Sequence, residues 1–346
     1  MSSCDVSYDV SYDVSYDAIL LVSFGGPEGP DDVLPFLENV VRGKRVPRER
    51  LLAVAEHYEL FDGVSPVNAE NRALLAALLH ELSAHGCSLP VYWGNRNWHP
   101  MLADSLRQMA DDGIRHALAM VTSAFSSYSG CRQYLEDIEQ ARQEVGDDAP
   151  QVDKLRVFYN HPGFIESMAA RVEAAFDELP VERRSAAQLI YTAHSLPLDM
   201  ARGCDYEVQV GEACDLVSQR VGRSDWHLVY QSRSGRPSQS WLEPDVCDSL
   251  RELGESGEAG DVVVVPIGFV FEHMETIYDL DVVARSVCDE VGLHMVRSAT
   301  VGCHPRFVQM IRELIDERIE ESPTRLALGS RGPSPDECPA DCCPPR

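Results

Sequence analysis

His194, His273, Glu275 and Asp279 stand out by type and position. His194 lies in Ala193-His194-Ser195-Leu196-Pro197, directly after a short apolar run. An imidazole at the carboxyl end of a buried strand faces the crevice, where it can accept a proton or ligate a divalent metal. The other three lie in Phe271-Glu272-His273-Met274-Glu275-Thr276-Ile277-Tyr278-Asp279, after another apolar run. If a helix begins near Glu272, then Glu272, Glu275 and Asp279 fall at i, i+3 and i+7 and share one face. That spacing predicts a ladder of carboxylates leading out of a cleft, with His273 beside it. Imidazole nitrogens from His194 and His273 and a carboxylate from Glu275 suit a borderline divalent ion. Charge runs are usually solvated faces, and an isolated histidine is usually a hydrogen-bonded one. Here the joint placement at two strand ends favours chemistry.

Other chemistries fit less well. No H-E-x-x-H is present, so a zincin-type protease is excluded as a motif match. Gly25-Gly26-Pro27-Glu28-Gly29 is not G-x-G-x-x-G, its proline lacks an N–H donor, and there is no Walker A sequence. A turn lining a flat ligand suits Phe24-Gly25-Gly26 at least as well as a phosphate cradle. Tyr92-Trp93-Gly94-Asn95-Arg96-Asn97-Trp98 is unusually aromatic for a strand end, and Tyr58, Phe61, Tyr128, Tyr134, Trp241, Arg42 and Arg45 sit in or near presumed loops. Rings and guanidinium groups together would hold a large planar ligand with anionic edges.

These residues need a frame. The chain has 346 residues, 44% of them hydrophobic, enough for two domains or one large α/β unit with a sizeable core. Lys and Arg number 30 against 56 Asp and Glu, a net charge of −26 that argues against nucleic acid or anionic lipid as partner. No apolar run reaches the ~18 residues of a membrane helix, and the N-terminus lacks a secretory pattern. The expectation is a cytoplasmic protein without an integral membrane segment. Asp-Val-Ser-Tyr recurs three times in the N-terminal stretch, which reads as a disordered tail over residues 1–17 with no chemistry.

Short apolar runs at 19–24, 90–95, 117–123, 156–159, 189–193, 227–231, 262–267 and 295–300 predict strands. Helical patterns at 68–84, 100–112, 133–144, 163–178, 208–221 and 276–291 separate most of them, and a last one covers 305–319. Such alternation predicts parallel sheets with right-handed crossovers. The fold class is therefore α/β, with two Rossmann-like halves, each a four-stranded parallel sheet flanked by helices. The halves are expected over residues 18–160 and 161–303. A helix at 304–320 follows, then a flexible Cys-bearing tail at 321–346.

With these residues in place, the sequence resembles the ferrochelatase family, which inserts ferrous iron into a porphyrin during haem synthesis. The resemblance runs from about residue 18 to 319. It rests on Phe24-Gly25-Gly26-Pro27, on Tyr58 with Gly63-Val64-Ser65-Pro66, and on Ala193-His194-Ser195-Leu196-Pro197. It rests also on Gln231-Ser232-Arg233 with Trp241-Leu242-Glu243-Pro244-Asp245-Val246, and on Pro266-Ile267-Gly268-Phe269 leading to His273 and Asp279. It implies a porphyrin in the cleft between the halves and a C-terminal helix packed back on the first half. It makes His194 and Glu275 the catalytic and metal-site pair, and Ser65 and Tyr134 porphyrin contacts; Phe24, Arg42 and Tyr58 are further candidate contacts. A related cobalt chelatase is the alternative enzyme, and a tetrapyrrole or cluster sensor the alternative binding module.

The 92–98 stretch and Ser126-Ser127-Tyr128-Ser129-Gly130-Cys131 resemble the actinobacterial branch that uses coproporphyrin III rather than protoporphyrin IX. Phe24 and Val41 stand where some coproporphyrin enzymes carry a tyrosine and a basic residue, so Arg42 and Arg45 are expected to compensate. Eleven cysteines, an odd number, with no secretory signal argue against a disulfide framework, and three thiols crowded at 338, 342 and 343 suggest metal binding. The resemblance implies a [2Fe–2S] cluster on Cys131, Cys338, Cys342 and Cys343, four thiolates being what such a cluster needs. The C-x₃-C-C spacing departs from the usual family pattern, and zinc or free thiols are the alternative.

Overall fold

A computed structural model describes residues 15–234, 238–257, 259–339 and 341–344. Most of the N-terminal repeat lies outside these residues. Its last tyrosine does not: Tyr16 is buried, donates a hydrogen bond to Asp153 (2.8 Å) and packs on the His116 ring. This end of the expected tail therefore belongs to the folded body.

Two four-stranded, all-parallel sheets form the frame, each with its helices on both faces. The first contains β1 (Ala18–Ser23), β2 (Val91–Asn95), β3 (His116–Val121) and β4 (Gln151–Lys154), in the order β2-β1-β3-β4. The second contains β5 (Gln188–His194), β6 (Trp226–Gln231), β7 (Asp261–Val265) and β8 (His294–Arg297), in the order β6-β5-β7-β8. Period-2 alternation divides each strand between two cores. Ile19, Leu21, Leu118 and Met120 enter one large core together with Leu189, Tyr191, Val263 and Val265 of the other sheet. Ala18, Leu20 and Val22 face a separate core under the helices of the first half, and Ile190, Val262 and Val264 one in the second. The shared core is what joins the halves.

Helix Pro305–Ile319 follows the last strand and packs against helices Val67–Ala84 and Pro162–Asp177. Arg312 pairs with Glu81 (2.9 Å) and Arg306 with Glu166 (2.7 Å), one ion pair toward each. The helix thus touches the first half, as the resemblance implies, and the first helix of the second as well.

Three expectations fail for physical reasons. The strand expected at 156–159 is at Gln151–Lys154, a partly exposed edge strand whose polar sequence carries little apolar signal. The apolar run after it is a buried irregular connection in which Arg156 makes two bonds to Glu317 (2.6 and 2.9 Å) and one to the Leu326 carbonyl. Helices Pro30–Val40 and Arg48–Glu59 lie where none is expected; their Val33, Phe36, Leu37, Leu51 and Tyr58 form a small core with Met274. The tail after residue 320 is packed rather than loose. Leu328 exchanges hydrogen bonds with Asn160, Arg325 pairs with Asp336, and Cys343 is buried.

Candidate active site

In each sheet the strand order reverses between its two central strands, and ligands of open α/β sheets bind beyond the carboxyl ends at such switch points. Here those strands are β1 and β3 in one sheet, β5 and β7 in the other. The loops after all four open on one cavity of about 860 Å³. A cavity of that size accommodates a large flat ligand. Phe24, Tyr58, Ser65, Tyr134, His194 and Glu275 all line it, as does Arg42.

His194 closes β5, and its ring is fixed from behind. The Nδ1–H donates to the Ser195 carbonyl (2.6 Å), which leaves Nε2 facing Glu275 Oε1 at 3.5 Å. The Tyr206 hydroxyl donates to the His194 carbonyl (3.0 Å), and Gln231 Nε2 donates to the Glu275 carbonyl (2.6 Å). Gly268 makes the approach possible, since a Cβ there would lie 2.7 Å from Ala193 Cα. Burial disfavours the imidazolium, but the Glu275 charge and hydrogen bond, the Ser195 carbonyl and the Asp279 charge together outweigh it and lift the His194 pKa to about 9. Burial likewise disfavours the Glu275 carboxylate, yet His194 brings it down to about 2. At neutral pH the pair is an ion pair, and His194 Nε2 carries a proton.

Beyond Glu275 the chain winds as a π-helix over Ile277–Ala284. Asp279 lies there, accepts a hydrogen bond from Ser232 and lines the same cavity. Burial, reinforced by the Glu275 charge, raises its pKa to about 6. The expected three-step ladder is a two-step one. Glu272 precedes the helix and turns inward, where it accepts bonds from Arg297 (3.0 Å) and the Thr300 N–H (3.0 Å). His273, expected to offer a third metal-type ligand, caps the following turn: its Nδ1 accepts from the Glu275 N–H (3.1 Å).

The opposite wall is cationic and aromatic. Arg42, Lys44, Arg50 and Arg96 line the cavity, whereas Arg45, expected to compensate beside Arg42, is not among the lining residues. Arg96 is nearly buried, pairs with Asp137 and sits 4.4 Å from the Tyr134 ring centre. The aromatic 92–98 stretch contributes less than its composition suggests. Tyr92 bonds Asp112, Trp93 bonds Asn95, and Trp98 packs behind Phe36, so Arg96 and Asn97 are what reach the cavity. Lys44, in the connection between helices Pro30–Val40 and Arg48–Glu59, and Arg50, in the second of them, escaped the sequence reading because both helices did; the basic run from Arg42 to Arg50 was the available signal.

A cleft between two parallel sheets, holding an acid–imidazole pair against a basic wall, is the architecture of a tetrapyrrole chelatase. The sirohydrochlorin chelatase SirB from Bacillus subtilis subspecies spizizenii, solved with cobalt, shares this fold with a TM-score of 0.54 at 13% identity, over 89% of this chain and 97% of that one. The Ferrochelatase family model matches residues 16–319, and the chain belongs to that family. It is 55% identical to the ferrochelatase of Rhodopirellula baltica, across 94% of this chain and 93% of the relative. It is 49% identical to the coproporphyrin III ferrochelatase of Streptomyces coelicolor (95% and 93% covered) and 52% to that of Frankia alni (95% and 87%). The protein is thus a metal-inserting enzyme of haem synthesis that places iron in a porphyrin. Among the described residues no helix is long and apolar enough to cross a membrane.

Proposed function

We propose that the porphyrin is coproporphyrin III, and that His194 and Glu275 carry the insertion of Fe²⁺. The observation that carries this reading is the two-sided cavity: the His194–Glu275 pair on one wall, and on the other Arg42, Lys44 and Arg50, which have no ion-pair partner among the described residues. Arg96 is already neutralised by Asp137. Coproporphyrin has four propionates, and several exposed cations along one wall suit a polyanionic rim. Phe24, Tyr58, Ser65 and Tyr134 are the proposed contacts to the ring.

Insertion exchanges Fe²⁺ for two pyrrole protons, so proton acceptors must stand ready. His194 rests as an imidazolium and therefore passes its Nε2 proton to solvent in the open cleft before Nε2 takes one from the macrocycle. Asp279, poised near neutrality, is the next acceptor outward. Holding the macrocycle bent exposes its nitrogen lone pairs and assists both steps. Anaerobic assays with Fe²⁺ and each porphyrin, followed by absorbance, should give a higher kcat/KM with coproporphyrin III; a preference for protoporphyrin IX overturns the assignment.

For the tail we propose a [2Fe–2S] cluster on Cys131, Cys338, Cys342 and Cys343. All four line one cavity of about 280 Å³. The Cys342 and Cys343 sulfurs are 3.5 Å apart, close to the ~3.8 Å between two thiolates at 2.3 Å from one tetrahedral metal. A binuclear cluster asks for two thiolates per iron, and when bound it supplies a redox-responsive cross-link between tail and body. Protein purified without oxygen should be reddish, with iron and acid-labile sulfide in equal amounts. Zinc in a colourless preparation, or colour unchanged in Cys131→Ser, rules out this ligand set. We further propose that the halves at 18–160 and 161–303 act as the two jaws of the cleft, in a cytoplasmic enzyme.

A further inference from the structure

The cysteine cavity has a neighbour that the cluster reading does not use. Cys204, half-buried in the turn between helices Leu198–Ala201 and Tyr206–Arg220, is a hydrogen-bond partner of the Cys343 thiol. The two backbones are also close, since a Cβ on Gly203 would lie 3.3 Å from the Pro344 ring. Cys343 is buried, and its backbone is left-handed (φ 51°), a conformation that costs a non-glycine residue and needs surrounding contacts to hold it. Four thiols line the cysteine cavity, and a fifth, Cys204, neighbours one of them from outside that lining. All of them are free in the structure.

We propose that Cys204 and Cys343 form a reversible disulfide whenever iron–sulfur ligation does not occupy Cys343, a modification site that fastens the chain end to the body. The contact of Gly203 with Pro344 sets the two cysteines side by side in neighbouring backbone, the proximity a disulfide needs. The oxidant is a small-molecule disulfide of the glutathione class. The exposed edge of Cys204 attacks it as thiolate and forms a mixed disulfide, releasing one reduced glutathione. Cys343 then attacks the Cys204 sulfur and expels the second, so two thiols lose two electrons and two protons while one disulfide becomes two thiols. In a reducing compartment such a bond is transient and reports redox state. It would sit two residues from Tyr206, whose hydroxyl holds the His194 carbonyl.

The experiment uses the full chain, as purified and after iron removal by a chelator, each exposed to oxidised glutathione. Free thiols are then alkylated, and the protein is digested without reduction for mass spectrometry. The expected result in iron-free protein is a cross-link between the peptide holding Cys204 and the tail peptide, with fragmentation placing it at Cys343. It should be lost in Cys204→Ser, kept in Cys338→Ser, and at least tenfold less abundant in cluster-loaded protein. A tail link that survives Cys204→Ser, a link from Cys131, or no link at all overturns the proposal. Because the iron-free arm needs no cluster, absence of a cluster leaves the test intact; equal cross-linking in both samples would then bear on the cluster alone.

Discussion

The His57 imidazole lies 3.8 Å from the Tyr278 ring centre and within 10° of parallel to it. This stack ties the helix that bears Arg50 to the π-helical stretch that bears Asp279. Arg50 adds a second tie across the cleft mouth by donating to the Ser234 carbonyl (3.1 Å). Tyr278→Leu should loosen that mouth. Hydrogen exchange over residues 48–59 is expected to speed several-fold, with KM for the porphyrin rising more than kcat changes. Exchange identical to the parent would show that the stack holds nothing closed.

The His194–Glu275 pair sets a titration. Glu275→Gln removes the largest influence that lifts the imidazole, leaving burial opposed only by the Ser195 carbonyl and the Asp279 charge, so the His194 pKa should fall well below about 9. NMR of histidine-labelled protein reads this directly. His194→Ala should lower kcat by ~10²-fold or more, the range for losing a general base. Glu275→Gln should still bind porphyrin while inserting metal poorly.

The same pair contributes stability in a defined window. The raised His194 pKa gives stability that is complete below the unfolded value near 6.5 and is lost as pH rises through about 9. The depressed Glu275 pKa gives stability present above about 4.5 and lost as pH falls toward about 2. Between pH 4.5 and 6.5 both contribute fully, and His194→Ala should narrow its Tm gap to the parent above pH 9.

Asp279 has the opposite sign. Its folded pKa of about 6 exceeds the unfolded 3.8, so its charge destabilises the fold increasingly from pH 3.8 to 6 and fully above that. Asp279→Asn should raise Tm by a few degrees at pH 7 and by little at pH 3.5, while slowing iron insertion. A variant both more stable and equally active would remove Asp279 from the metal route.

Arg156 and Glu317 form a nearly dry ion pair beneath the tail. Arg156→Met leaves the Glu317 carboxylate buried with less compensation and should cost about 3–5 kcal/mol, measurable by urea unfolding. The double change Arg156→Met with Glu317→Leu should recover much of the loss.

How far the sequence discloses this molecule follows from what each segment buries. Strands such as β1 and β7 are apolar on both faces, so a continuous run announces them. Edge strand β4 has no such run, and the apolar residues after it mark a buried connection instead. Helix Arg48–Glu59 buries Leu51 and Tyr58 against a small local core and leaves its remaining faces to the cleft and solvent, so its pattern is faint. At the site, strand-end position was legible for His194, Glu275 and Asp279. The inward turn of Glu272 was not, because its partner Arg297 comes from the end of β8. Arg45 and Lys44 are neighbours in a basic run, and spacing alone could not say which one reaches the cavity.

The two sheets repeat one wiring diagram, with outer, first, third and fourth strands in the same order. The cleft therefore has approximate internal symmetry in its scaffold and none in its chemistry. The side built on β5 and β7 holds His194, Glu275 and Asp279, the proposed proton handlers, while the side built on β1 and β3, with the helices inserted after β1, carries Arg42, Lys44 and Arg50, the proposed anion contacts. Changes to the cation-bearing side can retune which macrocycle is held without disturbing the atoms that exchange protons for metal. A single scaffold of this kind separates the choice of cargo from the reaction performed on it.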